Sequence, residues 1–312
     1  MKILVTGANG FVGGATVAAL TSRGRVTVAT TRRRAENSIG IGSIDRHTDW
    51  SFALTGCDTV VHTAARVHLL HDRVPDRLSA FRAVNVEGTL QLARHALQAG
   101  VRRLIFLSSV KVNGEGTQPN RAFHGNDPPT PLDPYGISKH EAEIGLREIA
   151  TATGMQVVIV RPPLVYGPGV KANFAAMMRA VQRGLPLPLA SVTHNRRSLV
   201  ALDNLVDLLI TCIDHPAAAN QTFLVSDGED LSTADLLRRM GHAMGKPARL
   251  LPVPPALLTL GAAMIGKRDV AQRLLGSLQV DIAHTRDTLG WTPPIGVDEG
   301  LRRAAAGMVA RP

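Results

Sequence analysis

Tyr135 and Lys139 are the side chains of this sequence whose types and spacing best fit proton-transfer chemistry. They lie four residues apart in DPYGISKHEAEIGLREIATATG, a stretch that predicts a helix from Asp133 to Gly154. Residues four apart share a helix face, so the phenol and the ammonium can act together. A phenol has an ordinary pKa near ~10, and a nearby positive charge lowers it. Taken alone, such a pair is also typical of a solvated helix surface.

Three glycines follow the first apolar strand and open the first helix in TGANGFVGG. Gly7 permits a tight turn, Gly10 lets the backbone approach a pyrophosphate, and Gly13 lets the helix pack closely on the strand. The alternative is an ordinary glycine-rich β–α turn. In this strand–loop–helix context the spacing predicts a dinucleotide site. The predicted contacts are Gly7, Asn9, Gly10, Phe11, Val12 and Gly13.

The end of the second strand bears on which dinucleotide binds. NAD-selective sites place an acid there to bind the ribose hydroxyls. Here Thr30 and Thr31 are followed by Arg32, Arg33 and Arg34. Hydroxyls and guanidiniums would bind a 2′-phosphate that a carboxylate would repel. The sequence therefore favours NADP(H), with Thr31, Arg32 and Arg33 as contacts, and leaves NAD(H) as the alternative because arginine is abundant throughout the chain.

The elements that must position these groups alternate between strand and helix. Val- and Ile-rich strands separated by helices predict an α/β fold, a Rossmann doubly wound parallel sheet buried on both faces. After Pro162, proline and glycine cluster in a manner typical of a smaller C-terminal substrate-binding domain. We expect the dinucleotide domain at 1–165 plus about 195–226, and the substrate domain at about 166–194 plus 227–312. A strand-and-helix pair around SLVALDNLVDLLI and QTFLVSDG should rejoin the main sheet.

Composition narrows the class of protein. The 312 residues include 35 Lys and Arg against 25 Asp and Glu, a net charge of +10. This charge indicates either a general surface bias or attraction to anionic ligands, such as nucleotides, phosphate-bearing substrates or lipid headgroups. Aromatic residues are 4% of the chain, and no basic run alternates with them, which argues against a nucleic-acid partner.

The longest apolar stretch, ALLTLGAAMIG at 256–266, is too short for a bilayer span of about 20 residues. It predicts a buried helix or a surface-docking one. Cys57 and Cys212 fit no metal or redox spacing, which predicts two reduced thiols and no metal site. With no leader pattern before Lys2, we expect a cytoplasmic protein without a transmembrane segment.

These motifs together resemble the extended short-chain dehydrogenase/reductases that act on nucleotide sugars. The resemblance rests on TGANGFVGG, TVVHTAA, LSSV, YGISK, RPPLVYGPG, NRRSLVALDNLVDLL and LGWTPP, and spans essentially the whole chain. It implies that Ser109, with Ser108 as second choice, orients the reacting sugar oxygen beside Tyr135 and Lys139. It further implies cofactor contacts at Asp49, Trp50, Ala64, Ala65, Tyr135, Lys139 and Pro162. Family members commonly dimerise through a four-helix bundle, so we expect a homodimer.

The resemblance also implies a UDP-sugar substrate. Arg197 matches the family arginine that holds the sugar-nucleotide diphosphate, because a guanidinium pairs bidentately with phosphate. Arg273 is a weaker candidate for a second contact and could equally be a solvated helix arginine. The other predicted substrate contacts are His68, Ser108, Lys111 and Asn173. His68 could equally be structural. Asn85 is expected to support the wall of the site.

Two reactions remain open on this resemblance. Val110 and Lys111 stand where 4,6-dehydratases carry an Asp–Glu pair, so dehydration is disfavoured. The NADP-type strand end favours a reductase of a UDP-4-keto-6-deoxy-N-acetylhexosamine, as in bacterial O-antigen synthesis. The alternative is a UDP-hexose or UDP-N-acetylhexosamine 4-epimerase with retained NAD. A non-catalytic dinucleotide-sensing protein is disfavoured because it would not need Ser109, Tyr135 and Lys139 together.

Overall fold

Ten strands and twelve α-helices are present in the part of the chain that the computed structural model describes, residues 1–67, 76–118, 121–264, 266 and 268–309. The strands are β1 (Lys2–Thr6), β2 (Val26–Thr31), β3 (Ile39–Gly40), β4 (Thr59–His62), β5 (Arg103–Leu107), β6 (Gln156–Arg161), β7 (Leu164–Tyr166), β8 (Arg197–Ala201), β9 (Thr222–Leu224) and β10 (Asp230–Leu231). The helices are α1 (Phe11–Ser22), α2 (Ser51–Leu54), α3 (Arg77–Arg82), α4 (Gly88–Gln98), α5 (Pro134–Thr153), α6 (Ala172–Gln182), α7 (Leu202–Asp214), α8 (Thr233–Ala243), α9 (Pro255–Met264), α10 (Arg268–Leu275), α11 (Ala283–Leu289) and α12 (Val297–Val309).

Seven strands form one parallel sheet in the order β3-β2-β1-β4-β5-β6-β9. The chain runs outward from β1 in one direction and then returns to build the other half from β4. Thr6 pairs with both Thr30 and His62, so the carboxyl ends of β1, β2 and β4 meet at this reversal. Such a switch point is where doubly wound sheets bind their ligands. The predicted Rossmann sheet is confirmed.

Alternate side chains of the strands fill two cores, one on each face of the sheet. Ile3, Val5 and Val61 pack with α7 on one face. Leu4 and Val60 pack with α4 and α5 on the other face. Both faces are covered, which is why the strands are apolar along their whole length. Cys57 and Cys212 are buried and unpaired in these cores.

A second sheet of three strands, in the order β10-β8-β7, lies outside the main one. The predicted strand-and-helix pair rejoins the main sheet only in part: β9, within QTFLVSDG, pairs with β6 and α7 packs on α1, whereas β8 pairs with β7 and β10 in the second sheet. Pro162 and Pro163 have no N–H to donate and end β6, so the chain leaves the sheet there. The division into two domains at the boundaries given above stays a prediction.

The stretch AFRAVNVEGTLQLARHALQAG predicts one long helix that ends at Gly100, but the structure divides this stretch into three parts. Between α3 and α4, residues Ala83–Glu87 form a π-helix, which carries one extra residue per turn.

The helix predicted from Asp133 to Gly154 is present as α5, capped by the Asp133 carboxylate at its start and by Gly154 with φ +76° at its end. No described helix has the length and apolarity to span a membrane.

Candidate active site

The glycine loop between β1 and α1 is packed so closely that side chains cannot enter it. A Cβ on Gly13 would lie 2.2 Å from the Gly7 carbonyl oxygen, and one on Gly7 would lie 2.9 Å from the Ala64 backbone. Gly7 also has φ +68°. Gly10 caps α1 without a side-chain hydrogen bond, so the first-turn N–H groups of this helix face outward uncapped. This cradle fits a pyrophosphate, which the helix N-terminus would bind through its backbone.

Replacing Gly13 by alanine should abolish dinucleotide binding, because the new methyl must displace the Gly7 backbone by about 1 Å. The measurement is the dinucleotide released from the purified, denatured protein, together with the thermal unfolding midpoint. Gly14→Ala is the matched control, since its Cβ would meet only the Ala8 carbonyl oxygen, at 3.1 Å. Equal dinucleotide retention by both variants would contradict the assignment of the loop.

The loop after β4 is fixed to the end of β1 by hydrogen bonds. The Thr63 hydroxyl donates to the Thr6 carbonyl at 2.6 Å, and the Ala64 N–H donates to Thr6 Oγ1 at 3.2 Å. Ala64 and Ala65, both predicted cofactor contacts, therefore stand half-buried beside the glycine loop. Below them His62 is enclosed between Thr6 and Thr89, at 2.7 and 2.9 Å, and burial lowers the pKa of His62 to about 3. His62 is therefore neutral and lies beneath the loop that contains Ala64 and Ala65. Sequence reasoning did not single it out.

Tyr135 and Lys139 project from the first turns of α5 toward the same region. Tyr135 packs edge-on against Phe81, with ring centroids 6.0 Å apart, and Lys139 Nζ lies 3.9 Å from the centre of the Phe106 ring. Burial lowers the pKa of Lys139 to about 7. Burial, and secondarily the Asp133 carboxylate, raise the pKa of Tyr135. The chain by itself thus opposes the expected lowering of the phenol pKa, because burial disfavours the charged phenolate.

Lys139→Met should make the cofactor-free protein more stable at neutral pH. The folded pKa of Lys139 lies below its unfolded value near ~10.4, so from pH 7 to about 10.4 the unfolded chain binds more protons and stability rises with pH. Below pH 7 the buried ammonium imposes its full cost, roughly 5 kcal/mol. Urea unfolding of dinucleotide-stripped protein should show the variant's advantage shrinking toward pH 10. A difference between Lys139→Met and wild type that does not change with pH would argue against this assignment, and exposed Lys171→Met is the control for removing a lysine charge.

An ion-pair network surrounds the start of α5. Lys111 Nζ donates to Asp133, the N-cap of the helix, and to Glu115 Oε1 at 3.0 Å. The charge of Lys111 is therefore satisfied within the protein at the start of α5, and the predicted substrate contact by Lys111 stays a prediction. Ser109 Oγ accepts from the Lys111 N–H at 3.2 Å, and among the described residues no acceptor is seen for its O–H. That donor remains available for a sugar oxygen, in line with the predicted role of Ser109.

Ser108 faces the interior, contrary to the predicted substrate contact. Its hydroxyl donates to Glu143 Oε1 at 2.5 Å, and only 2% of the residue is exposed. Glu143 also accepts two hydrogen bonds from Arg161, at 2.9 and 2.5 Å. Burial opposes the negative charge, but the Arg161 guanidinium outweighs it and holds the pKa of Glu143 low. Pro162 is buried as well, and its carbonyl accepts from the Val110 N–H at 3.0 Å. No residue pattern in the sequence predicts the buried Glu143–Arg161 ion pair.

Glu143→Gln should lower the free energy of unfolding by about 3 kcal/mol, because it leaves the buried Arg161 guanidinium without a counter-charge. Glu141→Gln on the same helix is the matched control: its partner Arg82 is 45% exposed, and such pairs are worth at most about 1 kcal/mol. Urea denaturation of both variants measures the difference. Equal losses would mean that burial of the Arg161 pair has no energetic consequence.

Asn85 lies in the π-helix and ties the loop after β4 to α5. Its Oδ1 accepts from the Arg66 N–H at 2.8 Å, and its Nδ2 donates to the Arg66 carbonyl at 3.1 Å and to Ser138 Oγ at 3.0 Å. Ser138 in turn donates to the Tyr135 carbonyl at 2.8 Å. The residue is 1% exposed. This geometry agrees with the expectation that Asn85 supports the wall of the site.

The end of β2 differs in part from its predicted role. Thr31 is 4% exposed and its hydroxyl donates to the Arg33 carbonyl at 2.7 Å, so this donor is not available to a ribose phosphate. Arg32 and Arg33 are exposed, as is Arg34, and no described carboxylate forms an ion pair with any of the three. Asp49 is exposed beyond the sheet edge and accepts from the Ser51 N–H.

Trp50 is fully buried in the core beneath α2, so its ring cannot be the predicted cofactor contact. The indole packs with the apolar side chains on the α4 and α5 face of the sheet. Its neighbour Asp49 stays a prediction for adenine binding.

Two arginines meet on the side of the second sheet. Burial, and then the positive charge of Arg273, lower the pKa of Arg197, so the two guanidiniums share one region. Arg197 donates to the Gly276 carbonyl at 3.1 Å, and no described carboxylate forms an ion pair with either arginine. An uncompensated guanidinium pair is a site for a polyanion such as a diphosphate. Asn173 is exposed at the start of α6, and predicted His68 lies outside the described residues.

These features define the class of protein: a Rossmann-type fold of the extended short-chain dehydrogenase/reductase kind, with a dinucleotide cradle next to a Ser–Tyr–Lys group. Among the described residues there is no His, Cys, Asp or Glu cluster able to hold a metal ion. The chain belongs to the NAD dependent epimerase/dehydratase family, which it matches over residues 3–226.

Comparison with individual proteins gives the same class. A UDP-glucose 4-epimerase of Vibrio cholerae is 49% identical over 309 residues, which cover 97% of this chain and 94% of that protein. The structure of UDP-N-acetylglucosamine 4-epimerase from Bacillus cereus matches with TM-score 0.81 and 18% identity over 100% of both chains. UDP-glucuronic acid 4-epimerase from Bacillus cereus, in complex with NAD, matches with TM-score 0.79 and 20% identity over 99% and 96% of the two chains. At such identities the two structures show the fold alone.

Proposed function

We propose that this chain is a UDP-hexose 4-epimerase that retains NAD and interconverts the C4 epimers of a UDP-sugar such as UDP-glucose. The observation that carries the proposal is the 49% identity to a UDP-glucose 4-epimerase over nearly the whole of both chains. It favours the alternative in the sequence prediction over the 4-keto-sugar reductase. We expect a cytoplasmic homodimer that pairs through α4 and α5, where Leu97 and Ile144 are exposed.

The cofactor cradle consists of the glycine loop, the uncapped start of α1 and the loop at Ala64 and Ala65. These groups would hold the dinucleotide, whose oxidised nicotinamide would supply an acceptor for the C4 hydride and a positive charge that favours the phenolate. Tyr135 takes the proton of the sugar 4-hydroxyl and gives it back, while Ser109 donates a hydrogen bond to the same oxygen. Lys139 lies one helix turn from Tyr135 and orients the ribose.

The arginine pair suits an epimerase for a mechanistic reason. An epimerase must present both faces of one sugar carbon to the same Tyr135–Ser109 group. The substrate must therefore be held mainly by a part that does not turn. Arg197 and Arg273 supply that anchor on the diphosphate, which leaves the hexose free to reorient.

The test is to incubate the purified protein with UDP-glucose and with UDP-N-acetylglucosamine, without added cofactor, and to separate the C4 epimers by chromatography. NAD released on denaturation and epimer formation would support the proposal. Consumption of NADPH or NADH with a UDP-4-keto-6-deoxy-N-acetylhexosamine, without epimer formation, would overturn it in favour of the reductase. The specific observation behind that second candidate is the exposed Arg32–Arg34 run without a carboxylate partner among the described residues.

A further inference from the structure

Helix α9 presents an apolar face that the rest of the described chain does not cover. Leu257, Leu260 and Met264 are 58, 59 and 80% exposed, and their spacing places them along one side of the helix. The opposite side rests on the core through Leu258, which packs with the side chains beneath the second sheet. Three large apolar groups within eight residues are more than the isolated exposed side chains that any soluble protein carries.

Helix α10 packs next to α9, and a groove of about 600 Å³ lies between them. Small or apolar side chains form most of its lining, including Ala256, Leu260 and Ala263 from α9 and Ala271 from α10. Arg268, which is exposed, lines the same groove. The face therefore combines apolar surface with a cation at its edge.

The surrounding sequence is strongly basic. Between Ala243 and Val270 the chain has four cations, Lys246, Arg249, Lys267 and Arg268, and a single acid, Asp269, whereas Arg238 and Arg239 just before this stretch are paired with Asp235 and Glu229. Arg249 is exposed shortly before α9 begins, and Arg268 is exposed shortly after it ends. An apolar helix face between exposed cations is complementary to one kind of surface, an anionic lipid headgroup layer over acyl chains.

We propose that the α9–α10 hairpin docks this protein on an anionic phospholipid membrane surface, with Leu257, Leu260 and Met264 inserted at the level of the upper acyl chains and Arg268 on the headgroup phosphates. A helix that lies in the interface needs no membrane-spanning length, and ten residues suffice. Leu257, Leu260, Met264 and Arg268 are not among the residues assigned to the active site, so the proposal does not depend on the proposed activity.

The experiment is co-sedimentation of the purified full chain with vesicles of phosphatidylglycerol and phosphatidylethanolamine, and separately with neutral phosphatidylcholine vesicles. Wild type should bind the anionic vesicles, and the addition of 0.5 M salt should weaken this binding at least tenfold. Leu257→Asp/Leu260→Asp should lose binding more than tenfold, whereas Val26→Asp/Phe52→Asp, which changes two equally exposed apolar residues elsewhere, should not. Unchanged thermal unfolding midpoints show that each variant is folded.

A second pair of variants separates a local effect from the net charge of +10. Arg268→Glu should weaken binding about tenfold, and Arg102→Glu, the same charge reversal at an exposed site on another element, should do so much less. Equal losses would overturn the proposal in favour of non-specific charge attraction. The proposal would also be overturned if wild type binds no vesicles. It would be overturned, too, if Leu257→Asp/Leu260→Asp abolishes a concentration-dependent self-association and not vesicle binding, because the face would then be an interface between copies of the chain.

Discussion

Tyr135→Phe is expected to lower kcat for sugar turnover by about 1,000-fold, with the free energy of unfolding changed by less than about 1 kcal/mol. The ring would keep its edge-on packing against Phe81, so the fold should hold. The lost hydroxyl is the group that carries the proton to and from the sugar oxygen, and general acid–base groups of this kind contribute 10²- to 10⁴-fold to the rate. Steady-state turnover of UDP-glucose and urea unfolding measure the two quantities.

The only other tyrosine of the chain provides the control. Tyr166 is fully buried and its hydroxyl donates to Asp227 Oδ2 at 2.7 Å. Burial, opposed by hydrogen bonds from the Ala201 N–H and the Tyr166 hydroxyl, raises the pKa of Asp227, so this carboxyl group depends on its partners. Tyr166→Phe should lower the free energy of unfolding by about 2 kcal/mol and leave turnover per folded molecule nearly unchanged. The assigned active site would be contradicted if Tyr166→Phe abolished turnover while Tyr135→Phe lowered only the free energy of unfolding.

Arg197→Glu is expected to lower kcat/KM for a UDP-sugar by about 1,000-fold, mainly through KM. The reversal removes a guanidinium that attracts the diphosphate and adds a carboxylate that repels it. Both changes weaken binding. Arg273, whose charge already lowers the pKa of Arg197, would pair with the new carboxylate and be withdrawn from the substrate. Initial-rate kinetics over a range of substrate concentrations separate KM from kcat.

Arg196→Glu is the matched control because it changes the adjacent residue by the same charge. The Arg196 guanidinium donates to the Thr193 and Asn195 carbonyls, at 2.9 and 3.0 Å, and so holds its own loop. We expect at most a tenfold rise in KM for this variant. If both reversals act equally, the general positive field of the surface and not the Arg197–Arg273 pair attracts the substrate.

The parts of the site that the sequence predicted well depend on local geometry. The glycine spacing determines a β–α turn, and the Asp133 cap with Tyr135 and Lys139 follows from one helix. Each of these can be inferred within about twenty residues of chain, because the interacting groups are neighbours in sequence. The order of the main sheet follows from the same alternation of strands and helices.

The parts that sequence reasoning missed depend on groups far apart along the chain. Ser108 appeared as available as Ser109, and only the fold shows that Glu143 and Arg161 claim its hydroxyl. The placement of β8 was wrong because apolar strand residues do not specify which sheet they join. Thr31 was predicted to face the cofactor, but its hydroxyl binds Arg33, and no pattern of residue types indicates that contact.

The π-helix at Ala83–Glu87 is expected to lower the stability of the helix while it positions Asn85 at the proposed active site. Such a segment arises when one residue is added to an α-helix, and it lengthens the hydrogen-bonded turn at a cost in backbone energy. The addition turns Asn85 toward the Arg66 backbone and Ser138, the contacts that hold the loop after β4 to the catalytic helix. Deleting one residue from the π-helix would restore a regular helix that forms more easily. The Asn85 side chain would then point away from Arg66 and Ser138. Selection for thermostability alone would therefore tend to erase this segment, and selection for turnover would keep it.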